Sequence, residues 1–409
     1  MGDAGYGAPE IGDARAQAAA ARFCSLAFGG SEEACVEWLR DTAGYENLRV
    51  LRGADGGGDD GILASLIVIP MGQYFGGRSV EMEGVAGVAV PPEGRGRGAG
   101  LELMRAQVVD AAARGVPLSC LYCSTQALYR QVGYEQAGVL CQTTLPLRTV
   151  GVRERGMVVR ELTEADQPAV EACYARFAAR HNGMLDRGGY IWKRTRSSRG
   201  EVRRGFGIFV EGAGGAPGGL EAYLRFAQRR KESTGRHDVA VSDLAFATVR
   251  GGRRLLGFLS DLATVGDDAV FDGPAVHPLM ALLPQQYFAS RFVDAWMLRL
   301  NLVKEAIESR GYVPSVRAAF VVEVEDGLVG ANAGAWRVRV EDGRASVERV
   351  SGGGLPVVRC DVRGLAAVYA GYCSATSAAG LGWMDGDAGA LAVVDGVFAG
   401  DGGWMVDRF

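Results

Sequence analysis

The amino-acid sequence predicts a mixed α/β fold with more than one domain. Three observations carry this. Apolar runs of strand length alternate with segments whose apolar residues recur every three or four positions, the pattern of strands interleaved with helices. The pattern runs to about residue 150 and then starts again. At 409 residues the chain is also longer than one core of this kind accommodates, so two or three domains are expected.

In the first segment, residues 1–150, Ala14–Leu26 and Glu32–Thr42 are expected to be helices. Arg49–Arg52 and Ile62–Pro70 are expected to be strands, separated by a Gly/Asp turn at Gly53–Gly61. Gly84–Val90 is a further strand. It leads through a turn dense in glycine and arginine to a helix with Leu101, Met104, Val108 and Ala112 on one face. Pro117–Ser124 then reads as a strand, Thr125–Val132 as a short helix and Gly133-Tyr134 as the entry to another strand. The second segment, 151–290, opens at Val158 with a strand and a capped helix, Thr163 standing three residues before Asp166 with Pro168 in the first turn. Gly207–Glu211, Ala222–Gln228 and Val239–Ala247 come next as strands, and Arg250–Ala263 as a helix entered through two glycines and two arginines, a faint echo of the first segment. The third segment, 291–409, has alternating strands at Arg317–Glu325 and Gly334–Val340 joined by Asp326-Gly327, and a hairpin turn at Glu341–Arg344. Val357–Val362 is a strand and Leu365–Tyr372 a helix. Short segments over Gly380–Phe398 precede the closing Trp404–Phe409.

Composition excludes several classes of function. A net charge of −4 argues against nucleic acid as the main partner, and the arginine clusters Arg194–Arg204, Gln228–Lys231 and Arg250–Arg254 are short enough to be solvated faces. No apolar run approaches 18 residues, so no membrane span is expected, and the N-terminus shows no secretory signal. The eight cysteines lie mostly in apolar segments, as buried thiols of a reducing, cytoplasmic compartment do. Cys120-Leu-Tyr-Cys123 lies within a strand and lacks a second pair at zinc-ribbon spacing. The three histidines, His181, His237 and His277, form no metal-ligand pattern, so no metal is expected.

The chemistry concentrates between Val85 and Gly100. Glycines in this turn let the backbone approach a ligand with bare N–H groups, at a helix N-terminus where the dipole favours anions. Arg95 and Arg97 add positive charge, so the construction is that of a pyrophosphate cradle. A P-loop would need Lys-Ser or Lys-Thr after the glycines, and a dinucleotide fold would need G-x-G-x-x-G; neither is present.

Arg95-Gly96-Arg97-Gly98-Ala99-Gly100 matches R-x-x-G-x-G, and so resembles the acetyl-coenzyme A signature of GCN5-related N-acetyltransferases. Tyr129-Arg-Gln-Val-Gly133-Tyr134 resembles the element that closes the cofactor site in that superfamily. With the aromatic residue that ends the chain, these segments resemble the Eis (enhanced intracellular survival) family over essentially the whole length. The resemblance implies two acetyltransferase-like domains in tandem, the second degenerate and without cofactor, then a sterol-carrier-like α/β domain that delivers the C-terminal carboxylate. It implies acetyl-CoA as co-substrate, an amine acceptor such as an aminoglycoside, a polyamine or lysine, and a hexamer. By the same resemblance, Val88 and Val90 would hold the pantetheine and polarise the thioester through backbone N–H groups. Arg95, Gly96, Gly98 and Gly100 would hold the pyrophosphate. Tyr129 would be the general acid, the carboxylate of Phe409 the general base, and Trp38 a wall of the substrate pocket. Acyl transfer to an amine does need a neutral nucleophile, a polarised carbonyl and a protonated leaving group. One departure concerns the acceptor: Arg408 is penultimate here, and an arginine beside the base would repel a polycation unless it points away. A protein that binds acyl-CoA or lipid as a sensor, without robust turnover, stays open as the alternative.

Overall fold

The computed structural model describes residues 5–10, 12–53, 61–198, 201–212, 217–232, 234–352 and 354–409. The chain divides into two units. One holds the described residues of Met1–Gly138 together with Trp296–Gly402 and Arg408–Phe409; the other holds Val139–Ala295 and Gly403–Asp407.

The first unit opens with β1 (Gly5–Gly7), α1 (Ala14–Phe28) and α2 (Glu32–Glu37). Asp13 and Ser31 cap the two helices by accepting from Ala16 N and Ala34 N. After α2 the helix continues through Trp38, whose N–H still bonds Ala34 O, and widens over Trp38–Ala43 to a bond from Gly44 N to Leu39 O. Strands β2 (Leu48–Arg52), β3 (Ile62–Phe75) and β4 (Arg78–Ala89) come next. The expected turn between β2 and β3 falls largely on residues 54–60, outside the described residues, with Gly53 N donating to Gly61 O at its base. β3 continues past Pro70, where β2 no longer pairs with it, and turns into β4 through Gly76 and Gly77, both at positive φ.

Then come α3 (Ala99–Ala113), β5 (Leu118–Tyr122), α4 (Gln126–Arg130) and β6 (Glu135–Pro146). On α3, Met104 and Val108 are buried as their spacing predicts. Leu101 and Ala112 are only half-buried, and Leu103, Gln107 and Ala111 complete the inner face. Gln107 belongs there because it answers a buried polar chain. Arg114 reaches Glu83 at 2.7 Å, Glu83 accepts from Gln107, Tyr134 donates to Gln107 at 3.2 Å, and Ser119 and Tyr134 share a bond of 2.7 Å. Ser119 Oγ also lies 3.1 Å from Asn301 Oδ1, and its single proton goes either to Tyr134 or to Asn301. Each member has at least one partner, which is what allows so many polar groups to be buried together.

The second unit contains β7 (Val158–Glu161), α5 (Gln167–Ala178), β8 (Leu185–Asp186), α6 (Gly189–Arg196), β9 (Ser197–Ser198), β10 (Glu201–Val202), β11 (Arg204–Glu211), β12 (Pro217–Arg230), β13 (His237–Phe246), α7 (Val249–Asp261) and β14 (Gly266–Gly273). The capping box expected at Thr163 and Asp166 is formed. The main sheet runs β6-β14-β13-β12-β11-β7. β13 and β14 pair in parallel only as far as Ala240 and Val270, although β13 runs on to Phe246.

Strand β15 (Ala289–Leu300), at the start of the third segment of the sequence, pairs with β5 of the first unit, Trp296 opposite Tyr122 through Leu300 opposite Leu118. Beyond it lie α8 (Val303–Ser309), β16 (Ala318–Glu325), β17 (Gly334–Glu341), β18 (Arg344–Arg349), β19 (Val357–Asp361), α9 (Val362–Ala370), α10 (Ala375–Gly380), β20 (Met384–Gly386) and α11 (Ala388–Phe398). Their sheet runs β18-β17-β16-β19-β20, and the β17–β18 hairpin turns through Asp342 and Gly343 at positive φ, as the sequence predicts. Among the described residues, no helix is long and apolar enough to cross a membrane.

Candidate active site

The turn from β4 into α3 is open. Gly96 (φ 76°) and Gly98 (φ 85°) adopt the left-handed region, and a Cβ at either position would meet nothing within 4 Å. Gly98 is the N-cap of α3, so the first N–H groups of a 15-residue helix face this space. Arg95 and Arg97 are exposed beside it, and Arg95 Nε donates to Val90 O at 3.3 Å. The acidic neighbour in the turn, Glu93, is held by Arg22 at 2.8 Å. Gly100 lies on Val90 and Leu128, 3.4 and 3.6 Å from its Cβ position. These residues suit a pyrophosphate: left-handed glycine, free approach, helix N–H groups and two cations.

Strands β4 and β5 pair in parallel from Met82–Leu118 to Gly84–Cys120 and then part, while β4 runs on to Ala89. Against β3, Ser65 faces Ala89 and Ile67 faces Ala86, so β4 carries an extra residue at Gly87–Val88. Gly87 takes φ +58°, and Trp38 Cη2 stands 3.1 Å from where its Cβ would be. The bulge thus bends the strand beside the half-buried Val88 and Val90 and seats Trp38 on it. At Gly84, where the strands part, the absent side chain makes room for the ring of Phe409: Cε2 would lie 2.7 Å from a Cβ there. Phe409 also meets Tyr122 edge-on at 6.3 Å between centroids, and the Arg408 guanidinium stands over the Tyr122 ring at 5.9 Å.

Tyr129, on α4, is buried in the cluster that includes Val85, Leu103, Leu121 and Tyr134, with Val88, Val90, Cys123 and Leu128 packed against it. Burial is the main cause that pushes its phenol up to about 12, with Cys123 adding a smaller rise. Among the described residues no hydrogen bond engages its hydroxyl. Tyr134 lies edge-on to it at 6.1 Å. Burial also raises the carboxyl of Glu83 against the opposing pull of Arg114 and Gln107.

The structure therefore brings Arg95, Gly100 and Val90 together, Trp38 to the bulge beside Val88, Phe409 to the parting of the strands, and Tyr129 into a cluster with Val88 and Val90. Among the described residues, neither a hydrogen bond nor a ring contact joins Tyr129 to Phe409. Sequence reasoning missed Gly84, Gly87 and Tyr122. Glycines inside an apolar strand were the available signal, since they mark bulges and close approaches.

In the second unit, Trp404 packs against Phe177, His181 and His277 at 5.2–6.2 Å. Arg187, fully buried, forms paired bonds of 2.9–3.0 Å to both Asp243 and Asp407, and Tyr223 donates to Asp243 at 2.9 Å. Asp407 is thus an ion-pair partner of Arg187. The glycine turn into α7 differs from that of α3. Gly251 and Gly252 are helical, Thr248 caps Gly251 N, and Glu221 O lies 2.7 Å from the Gly251 Cβ position. All eight cysteines are free thiols, and the described residues contain no group of His, Cys, Asp and Glu placed to hold a metal.

Comparison with known proteins agrees with this geometry. Residues 14–137 match an acetyltransferase (GNAT) domain family, residues 183–300 a second acetyltransferase (GNAT) domain family, and residues 303–406 the sterol carrier protein domain family. An uncharacterised N-acetyltransferase of Streptomyces coelicolor is 30% identical over 347 residues, 80% of each protein. The crystal structure of a GCN5-related N-acetyltransferase from Anabaena variabilis superimposes with a TM-score of 0.90 over 100% of both chains at 26% identity. Eis1 from Mycobacterium abscessus shares the fold, with a TM-score of 0.78 over 100% of both chains at 21% identity. The expected fold class, two acetyltransferase domains and then a sterol-carrier-like domain, is the one found. The chain belongs to the GCN5-related N-acetyltransferase family, as an acetyl-CoA-dependent N-acetyltransferase with the three-domain fold of Eis.

Proposed function

We propose that the first acetyltransferase domain moves the acetyl group of acetyl-CoA directly onto a neutral amine, with Tyr129 as the acid and the terminal carboxylate of Phe409 as the base. The observation that carries this reading is the seat of the last residue, its ring on Gly84 where β4 and β5 part. Arg95, Gly96, Gly98 and Gly100 hold the pyrophosphate, and the backbone N–H groups of Val88 and Val90, at and after the bulge, orient the thioester. Acetyl-CoA supplies the activated acyl group. Phe409 takes the proton from the attacking amine. Tyr129 is protonated at neutral pH, as any phenol near 10 is, and burial raises it further, to about 12. An ordinary thiol titrates near 8.5, so full proton transfer from a phenol at about 12 is uphill by roughly 5 kcal/mol. The hydroxyl therefore contributes most as a hydrogen-bond donor while charge develops on the departing sulfur.

The second acetyltransferase domain is read as non-catalytic, because the first turn of α7 is packed where that of α3 is open. The third domain delivers the C-terminus. Acceptors are amines of small molecules, aminoglycoside-like or polyamine, or of lysine. With Asp407 held by Arg187 and Arg408 next to Phe409, turnover should fall as acceptor charge rises. Exposed Tyr287 and Phe292 suit a homo-oligomer, hexameric as the Eis resemblance implies, and the free thiols suit the cytoplasm.

The test is thiol release from acetyl-CoA with kanamycin, neomycin, spermidine and a lysine peptide, for wild type and Tyr129→Phe. The expected result is turnover with at least one amine and a loss of about 100-fold or more in kcat for the variant. Binding of acetyl-CoA without turnover on any amine would favour the sensor reading.

A further inference from the structure

The helix that carries Tyr129 is too short to hold itself. α4 has five residues, and its N-cap Thr125 makes no side-chain bond to it. The turn into β6 supplies the hold. Val132 N and Tyr134 N both donate to Tyr129 O at 3.1 Å, and Gly133 turns at φ +88° beneath the guanidinium of Arg299, whose Nη1 would be 2.5 Å from a Cβ there. The residue next to Tyr129 ties the helix to a strand. Arg130 Nε lies 3.0 Å from both carboxylate oxygens of Glu135, and its Nη2 lies 2.6 Å from Oε1. Glu135, at the start of β6, has a side chain only 1% exposed, whereas that of Arg130 is 35% exposed. The buried carboxylate is thus the fixed point, and it also accepts from Gln136 N at 2.9 Å. Gln136 in turn accepts from Tyr372 at 3.0 Å.

We propose that Arg130 and Glu135 are positioning residues: the planar fork between them fixes α4 on β6 and so sets where the Tyr129 hydroxyl stands relative to the departing sulfur. This rests on Tyr129 being the acid. Small displacements of a reacting group cost large factors in rate, whereas Gly96 and Gly98 of the acetyl-CoA cradle lie in an open turn on another element; α4 meets the cradle through ordinary van der Waals contact of Leu128 with Gly100, which tolerates a small shift.

The experiment is a double-mutant cycle on kcat and on KM for acetyl-CoA, with thermal midpoints measured alongside. Arg130→Met should lower kcat about tenfold and leave KM for acetyl-CoA within about twofold. In a Tyr129→Phe background the same change should cost less than about twofold, because the group being positioned is gone. Arg130→Lys keeps the charge and loses the fork; it gives a smaller loss with the same background dependence, and it replaces Arg130→Met should that variant not fold. Equal losses in both backgrounds, or no loss in the wild-type background, would overturn the proposal while leaving Tyr129 as the acid. Wild-type turnover in Tyr129→Phe itself would overturn both.

Discussion

The ring of Phe409 occupies the space that any side chain on Gly84 would fill, with Cε2 at 2.7 Å and Cδ2 at 2.9 Å from the Cβ position. Gly84 has no positive φ, so alanine there is tolerated by the backbone and acts through this contact. Met71 Cε, also at 2.7 Å, is the end of a flexible side chain and can move aside. Gly84→Ala is expected to lower kcat about tenfold or more, with KM for acetyl-CoA within about twofold, in steady-state thiol-release assays. A change in KM alone would place the effect in the cofactor strand rather than at the C-terminus.

Adding one residue after Phe409 moves the terminal carboxylate by up to roughly 3.5 Å. A base displaced that far should cost about 100-fold or more in kcat, with the melting temperature unchanged. An extended chain with the kcat of wild type would remove Phe409 from the role of base.

Arg95→Ala and Arg97→Ala each remove an exposed cation beside the open glycine turn. Each should raise KM for acetyl-CoA about fivefold at low ionic strength, and less in salt, with little change in kcat. The larger effect is expected at Arg95, which is oriented by its bond to Val90 O.

His277 is wholly buried among Phe177, Phe271 and Trp404, accepts from Leu279 N, and burial lowers its pKa to about 3. An unfolded chain binds that proton near 6.5, so it is the unfolded state that gains protons as the solution is acidified through this window. The stability associated with neutral His277 is complete above about pH 6.5 and is lost as pH falls towards 3, by at most roughly 5 kcal/mol. Melting temperatures of wild type and His277→Gln between pH 7 and 4 should converge as the pH falls. Parallel curves would show that the histidine is not responsible.

The cofactor turn could be read from the sequence because its chemistry is local: Gly96 and Gly98 must take left-handed backbone within a few residues of the arginines they accompany. Strand and helix positions in the first and third segments were legible from periodicity for the same reason. Gly84 and Gly87 were visible as residues, but their purpose lies in Phe409 and Trp38, far away along the chain. Nothing local to Arg187, Asp243 or Asp407 announces that one buried cation joins two carboxylates. The inner face of α3 shows the same limit. Gln107 looks like a surface residue until Glu83 and Tyr134 are seen to need it.

The pairing of β15 with β5 has a consequence for how the protein is made. Tyr122 leaves the ribosome long before its partner Trp296. At roughly 5–20 residues per second, the interval is on the order of ten to thirty seconds. Throughout it the apolar edge of β5 at Leu118, Cys120 and Tyr122 lacks the strand that completes it, and Ser119 lacks Asn301. A nascent chain in that condition offers an open edge to chaperones, or to other chains at high expression. Slowing synthesis or lowering temperature should therefore raise the soluble yield more than any surface substitution, and a gene cut after the first acetyltransferase domain should deliver mostly aggregate.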